Sequence, residues 1–211
     1  MAGKSQSEPV VHSSLGLQAL CQRLQGVATC DILELGPARS GNIEFLSKFS
    51  PSIYIADLRS SLPLPVLPSA NPEEQDSEVA GPDWDSLLGL PEGHSYDVIL
   101  AWDLLNYLEL PAVSDLIRYL ERYCRQGTIL FALIFDQKQM PNKITVYRIL
   151  DESHLFYESG NSEMRACPRH QPRALAGVMH QFQASNSFRL RNGIVEYLFA
   201  YTGKNQEQSV I

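Results

Sequence analysis

The residues with the most chemical potential are Glu34, Gly36, Ala38, Gly41 and Asp57. The first four lie in Asp31-Ile32-Leu33-Glu34-Leu35-Gly36-Pro37-Ala38-Arg39-Ser40-Gly41-Asn42, and Asp57 ends the apolar run Ile53-Tyr54-Ile55-Ala56. A buried strand, a tight glycine turn opening a helix, and an acid about twenty residues downstream are the parts of a nucleoside-holding crevice. Gly36 removes the Cβ that would keep the turn backbone away from a ligand. Asp57, at a strand's carboxyl end, is placed to accept from two hydroxyl groups.

The elements that must position these residues follow from hydrophobic spacing. Ser13-Ser14 caps a helix that presents Leu17, Leu20, Cys21 and Leu24 on one face and stops at Gly26. Strand Ile32–Leu35 follows, then a short helix capped by Asn42 or Ser40 and burying Ile43, Phe45, Leu46 and Phe49, ended by Pro51. Residues 59–82 read as a Pro-rich and acidic surface excursion; a third strand there would be short, near Val79. Tyr96–Ala101 is a strand, and Pro111 opens a helix with Val113, Leu116, Ile117, Leu120 and Cys124 inward, ended by Gly127. Ile129–Phe135 is apolar throughout, as a central parallel strand covered on both faces must be. Residues 144–150 and 154–157 read as extended segments. Pro172 opens a helix with Leu175, Val178, Met179 and Phe182 on one face. Asn192-Gly193 between two strand-like runs is a hairpin signal.

Composition narrows the function classes. Hydrophobic residues make up 44% and charged residues 19%, which describes a globular chain. The net charge of -7 argues against phosphate-backbone binding, so a nucleic-acid partner is not expected. The cysteines, Cys21, Cys30, Cys124 and Cys167, lack metal spacing and read as thiols in a reducing compartment. His12, His94, His154, His170 and His180 show no metal spacing either, so no metal is expected. Met1–Pro9 carries no apolar leader, and the apolar run 129–135 is too short for a bilayer; a soluble cytoplasmic protein is the expectation.

Alternating strands and helices closed by a hairpin predict an α/β fold with a doubly wound, mostly parallel sheet of seven strands, or six, helices on both faces and a C-terminal antiparallel hairpin. This order, over roughly residues 15–202, resembles the class I S-adenosylmethionine-dependent methyltransferase family. Leu33 to Ile43 is similar to that family's first motif, with Ala38 and Ser40 at positions commonly glycine. Tyr54-Ile55-Ala56-Asp57-Leu58 is similar to the second, and Tyr96 to Leu108 to the fourth strand and the segment after it. The resemblance implies a single domain over 13–203, loose tails at 1–12 and 204–211, and an acceptor-site insertion at 136–170. It implies S-adenosylmethionine as cofactor, with Glu34 meeting the methionine amino group, Asp57 the ribose and Asp83 the adenine amine. Gly36, Ala38 and Gly41 would form the turn, and Trp84, Trp102 and Asp103 would lie against the cofactor. His154, Tyr157 and His170 are the acid–base candidates. No Asn/Asp-Pro-Pro-aromatic motif follows the fourth strand, so amino methylation of bases or glutamine by that motif is not implied. A small-molecule acceptor is expected.

Other roles stand beside each of these. Glu34 could cap a helix or pair with Arg39. Asp83 and Asp85 could be a solvated loop, Trp84 a loop anchor, and Trp102 and Tyr107 core aromatics. Arg165, Arg169 and Arg173 with His170 form a basic cluster, for an anionic acceptor or for solvent. At the level of the whole chain, a catalytically idle methyltransferase-like fold that binds or regulates a protein partner is the second hypothesis. An NAD(P)-binding protein is the third, because Gly36 to Gly41 also fits G-x-G/A-x-x-G; a carboxylate at Glu34 would repel a pyrophosphate there.

Overall fold

The computed structural model describes residues 10–27, 29–62, 81–158 and 163–203. Its centre is a six-stranded sheet built from β2 (Asp31–Glu34), β3 (Ser52–Ile55), β4 (Tyr96–Trp102), β5 (Cys124–Phe135), β10 (Phe182–Arg189) and β11 (Ile194–Tyr201), in the order β10-β11-β5-β4-β2-β3. Pairs β3/β2, β2/β4 and β4/β5 are parallel; β11 is antiparallel to both β5 and β10. The expected mostly parallel sheet with a closing hairpin is therefore present. The expected third strand near Val79 lies outside the described residues.

Burial explains the strands. Ile32, Leu33, Val98 to Leu100 and Leu130 to Ala132 are at most 1% exposed, so both faces of the central strands are covered. Helix α1 (Leu15–Leu24) lies on one face, capped by Ser14 Oγ accepting from Leu17 N–H, with Leu17, Leu20, Cys21 and Leu24 buried as their spacing predicts. Its Gly16 N–H donates to Glu196 Oε2 at 2.6 Å, and a Cβ on Gly16 would stand 2.8 Å from the Phe131 ring, so only glycine lets α1 settle there. Neighbouring side chains alternate across a strand. Val195 and Tyr197 accordingly face the opposite side, where they share a cavity with Pro172 at the start of α6 (Pro172–Val178).

Several local expectations are corrected. Residues 10–12, expected in a loose tail, belong to β1 (Val10–Ser13), which pairs with β8 (His154–Glu158). Helix α2 (Ser40–Leu46) is preceded by Arg39 as cap with no side-chain bond, and Ile43 is 37% exposed rather than buried. Helix α5 (Leu110–Glu121) ends before Cys124, which begins β5; Gly127 lies inside that strand, where its pairing with β4 is irregular. Phe182 likewise begins β10 rather than extending α6. The extended segments expected at 144–150 and 154–157 are present: β7 (Val146–Asp151) and β8 complete a three-stranded antiparallel sheet with β1, and β6 (Gln139–Pro141) pairs with β9 (Met164–Ala166).

Candidate functional site

Strand order reverses between β2, which continues outward to β3, and β4, which continues the other way to β5. In an open α/β sheet the carboxyl ends flanking such a reversal form the ligand crevice. Glu34 ends β2 and Trp102 ends β4, so the sequence places an acid and an indole on its two sides.

The two side chains meet. Glu34 Oε1 accepts from Gly36 N–H at 2.7 Å and from Trp102 Nε1–H at 2.5 Å. Glu34 Oε2 is buried with no hydrogen-bond partner. Burial pushes the Glu34 carboxyl up to about 8, and the nearby Asp57 adds to the rise, against the two hydrogen bonds. A Cβ on Gly36 would stand 2.8 Å from Glu34 Oε1 and 3.1 Å from Trp102 Cδ1. The chain's own acid and indole thus need a glycine at Gly36. At Gly41 a Cβ would meet nothing within 4 Å, and Ala38 is exposed.

Trp102 is held from three sides. Its backbone takes φ +48°, a region bulky residues rarely adopt. Its indole stacks on Tyr147 of β7 at 5.4 Å between centroids and meets the Phe131 ring edge-on at 5.7 Å. Asn42 of α2 in turn ties β7 down, donating to the Tyr147 carbonyl and accepting from Ile149 N–H.

Asp103 follows Trp102 and is fully buried. Its Oδ2 accepts from Thr145 N–H at 3.1 Å and sits 3.4 Å from the Tyr107 hydroxyl, which donates to the Lys143 carbonyl; Oδ1 has no partner. Burial pushes this carboxyl up to about 7, against the Thr145 bonds. Asn106, in the 3₁₀ turn Leu104–Tyr107, donates to the carbonyls of Asp103 and Leu133 and accepts from Phe135 N–H, fixing the turn to β5.

Asp57 and Asp83 are helix caps. Asp57 precedes α3 (Leu58–Ser61) and accepts from Ser60 N–H and Oγ–H; Asp83 precedes α4 (Trp84–Leu88) and accepts from Ser86 in the same way. Each carboxylate has further lone pairs for a ligand. The Ser86 bonds hold Asp83 below its ordinary range. Trp84 is buried, and its Nε1–H has no partner.

The acid–base candidates have other partners. His154 faces Asp151 at 2.9 Å at the exposed turn between β7 and β8. His170 Nε2 lies 2.9 Å from the Leu105 carbonyl. Tyr157 stacks on His12 at 4.5 Å and meets Tyr147, which in turn stacks on Trp102. In the basic cluster, Arg165 is buried and Arg173 exposed. Arg169 and Arg189 both pair with Asp136 beside a cavity of about 300 Å³ that His170 also lines. Sequence spacing offered Asn42 only as a helix cap and did not single out Phe131, Thr145 or Tyr147; the contacts that matter here are non-local.

No family sequence model matches the chain, and no curated protein matches it in sequence. Solved structures do. A S-adenosylmethionine-dependent methyltransferase from Clostridium acetobutylicum aligns with a TM-score of 0.53 at 12% identity, over 89% of this chain and 90% of that one. The amino pentose methyltransferase CalS10 from Micromonospora echinaspora aligns at 0.49 and 8% identity, over 88% and 90% of the two chains. The 1,6-didemethyltoxoflavin-N1-methyltransferase from Burkholderia thailandensis aligns at 0.48 and 14%, over 90% and 78%. On the first of these similarities, together with the strand order, the chain has the class I S-adenosylmethionine-dependent methyltransferase fold.

Proposed function

We propose that the chain binds S-adenosylmethionine at the carboxyl ends of β2, β3 and β4 and transfers its methyl group to a small-molecule acceptor. The observation that carries this reading is Glu34: a buried carboxyl at the strand reversal with one oxygen unpartnered. A buried polar atom without a partner is costly, and a ligand amine would satisfy it. The fold neighbour from Clostridium acetobutylicum, described as S-adenosylmethionine-dependent, supports the same ligand. In this reading Asp57 accepts from the ribose, Asp83 receives the adenine amine, and Trp84, Trp102 and Asp103 line the crevice, with Gly36, Ala38 and Gly41 in the turn. When bound, the sulfonium supplies an already activated methyl group. The chain's own work is to orient the two reactants and exclude water. The net charge of -7 argues for a small acceptor rather than a nucleic acid. We further propose that residues 13–203 act as one unit, joined by β1, in the cytoplasm; among the described residues no helix is long and apolar enough to cross a membrane.

A non-catalytic binding role for the same fold is the second reading. It is favoured by the placement of the candidate bases: His154 faces Asp151 at an exposed turn, His170 faces the Leu105 carbonyl, and among the described residues neither hydrogen-bonds to Glu34, Trp102 or Asp103. Thermal-shift measurement with S-adenosylmethionine, S-adenosylhomocysteine and NAD tests the ligand. Stabilisation by both sulfur ligands is expected; stabilisation by neither, or by NAD alone, overturns the proposal. Methyl-transfer assays on small-molecule acceptors then separate the two readings.

A further inference from the structure

A cavity of about 300 Å³ opens at the carboxyl end of β5, beside Asp136. It stands apart from the crevice of Glu34 and Trp102. Phe131, which meets the Trp102 indole, lies on the α1 side of the sheet, where a Cβ on Gly16 would touch its ring. Ile134, three residues on, and its partner Val195 line the cavity from the opposite face.

Apolar walls and a charged cluster make up this cavity. Ile134, Phe135, Val195 and Pro172 supply apolar surface. Arg169 Nη2 reaches Asp136 Oδ1 at 3.1 Å, and Arg189 Nη1 reaches Asp136 Oδ2 at 2.6 Å. The Asp136 N–H donates to the Gly193 carbonyl at 2.7 Å, which anchors the residue that holds both guanidinium groups. Two cations on one anion leave a single surplus positive charge. Each guanidinium carries five N–H donors, so both keep donors beyond the one on Asp136. Arg169 also takes φ +50°, a left-handed conformation costly for a residue with a Cβ, and such strain clusters at functional sites. His170 beside it is buried, and its Nε2–H donates to the Leu105 carbonyl at 2.9 Å. That bond ties the cavity wall to the 3₁₀ turn Leu104–Tyr107.

We propose that this cavity is a second ligand site, for a small carboxylic acid with an apolar body whose carboxylate is received by Arg169 and Arg189. The charge count selects a monoanion. One negative charge balances the surplus, whereas a dianion exceeds it and faces Asp136. The planar guanidinium matches a carboxylate in geometry as well as in charge. Apolar walls with a few convergent polar groups are the usual make-up of a small-molecule site. The site does not depend on the nucleoside reading, because among the described residues it shares no lining residue with that crevice. Through His170 and Leu105, a bound acid rests against the turn that follows Trp102 and Asp103.

Calorimetry on the full chain tests the site with cyclohexanecarboxylate. Cyclohexanecarboxamide is the neutral counterpart and inorganic phosphate the simple anion. The carboxylate is expected to bind saturably at one site, at least about tenfold more tightly than the amide. Arg189→Gln and Arg169→Gly are each expected to weaken it at least about tenfold. Glycine accepts the left-handed backbone at Arg169, and Arg189 is exposed, so neither change disturbs the core. Saturating S-adenosylhomocysteine is expected to change the affinity less than about twofold. No saturable binding at millimolar carboxylate, or equal affinity for the amide, overturns the proposal. Phosphate binding as tightly as the carboxylate also overturns it, since that marks a general anion site. Unaltered affinity in either folded arginine variant does the same. Competition with S-adenosylhomocysteine overturns it by placing the acid in the crevice, whereas failure of S-adenosylhomocysteine to bind counts against the nucleoside reading alone. Should one arginine variant not fold, the other decides.

Discussion

Asn42 holds β7 over the candidate crevice: its side-chain amide donates to the Tyr147 carbonyl at 3.0 Å, and its Oδ1 accepts from Ile149 N–H at 2.9 Å. One buried side chain thus satisfies two backbone groups more than a hundred positions away in sequence. Tyr147 then backs the indole of Trp102.

Replacing Asn42 with Ala leaves a buried carbonyl and a buried N–H unpaired. The expected loss is roughly 2–3 kcal/mol. For a chain of this size that lowers the melting temperature by roughly 5–10 °C. Thermal unfolding of the ligand-free protein checks it. A fall of less than about 1 °C would mean that β7 is held elsewhere.

Gly36 and Gly41 separate sharply although both belong to one motif. Gly36→Ala forces a Cβ against Glu34 and Trp102, with an expected cost of roughly 1–3 kcal/mol. Gly41→Ala enters open space at the start of α2 and should change stability by less than about 0.5 kcal/mol. Urea unfolding of both variants decides it; equal effects would contradict the packing described.

Much of this architecture was legible in sequence because it depends on local pattern. The apolar run 32–35, the glycine turn and the Asn192-Gly193 hairpin signal each act over a few residues, and each appears where expected. What was missed is non-local. The Cys124 position continues the inward spacing of α5, yet the chain has already turned, and the Cys124 thiol only touches the Leu120 carbonyl from the start of β5. Ile43 has the right spacing for burial, but α2 turns the buried Asn42 toward β7 instead. The partners of Glu34 divide in the same way. Gly36 stands two residues away in the motif, whereas Trp102, itself stacked on Tyr147, arrives from a distant strand that no spacing rule connects.

Ligand affinity should depend on pH through Glu34. Its carboxyl lies near 8 in the free protein, facing Gly36 N–H, Trp102 Nε1–H and the charge of Asp57, and it must lose its proton to pair with an amine. Affinity for S-adenosylhomocysteine is therefore expected to rise from pH 6 toward pH 8, by up to about tenfold per unit. Glu34→Gln should flatten this profile and weaken binding at pH 8. A flat profile in the unaltered protein would contradict ionisation at Glu34.

Asp103 makes a prediction about folding. Its carboxyl is raised from 3.8 to about 7 in the folded chain, so the folded state binds the proton more tightly than the unfolded state. Its contribution to stability is therefore full below about pH 4 and is lost as pH rises to about 7. Asp103→Asn removes this term. Relative to the unaltered protein, the variant should gain on the order of a few kcal/mol between pH 4 and pH 8. Urea titrations at both pH values measure it; an identical difference at each would show that Asp103 is ionised in the fold.

The proposed ligand crevice between β2 and β4 rests on Glu34 and Asp57. Calorimetric titration of S-adenosylhomocysteine into the full chain, and into Asp57→Ala, tests it most directly. Saturable one-site binding by the unaltered protein is expected, weakened at least about tenfold by Asp57→Ala, the loss expected for about 1.4 kcal/mol of ribose hydrogen bonding. No binding at millimolar ligand, or equal affinity in the two proteins, would contradict it.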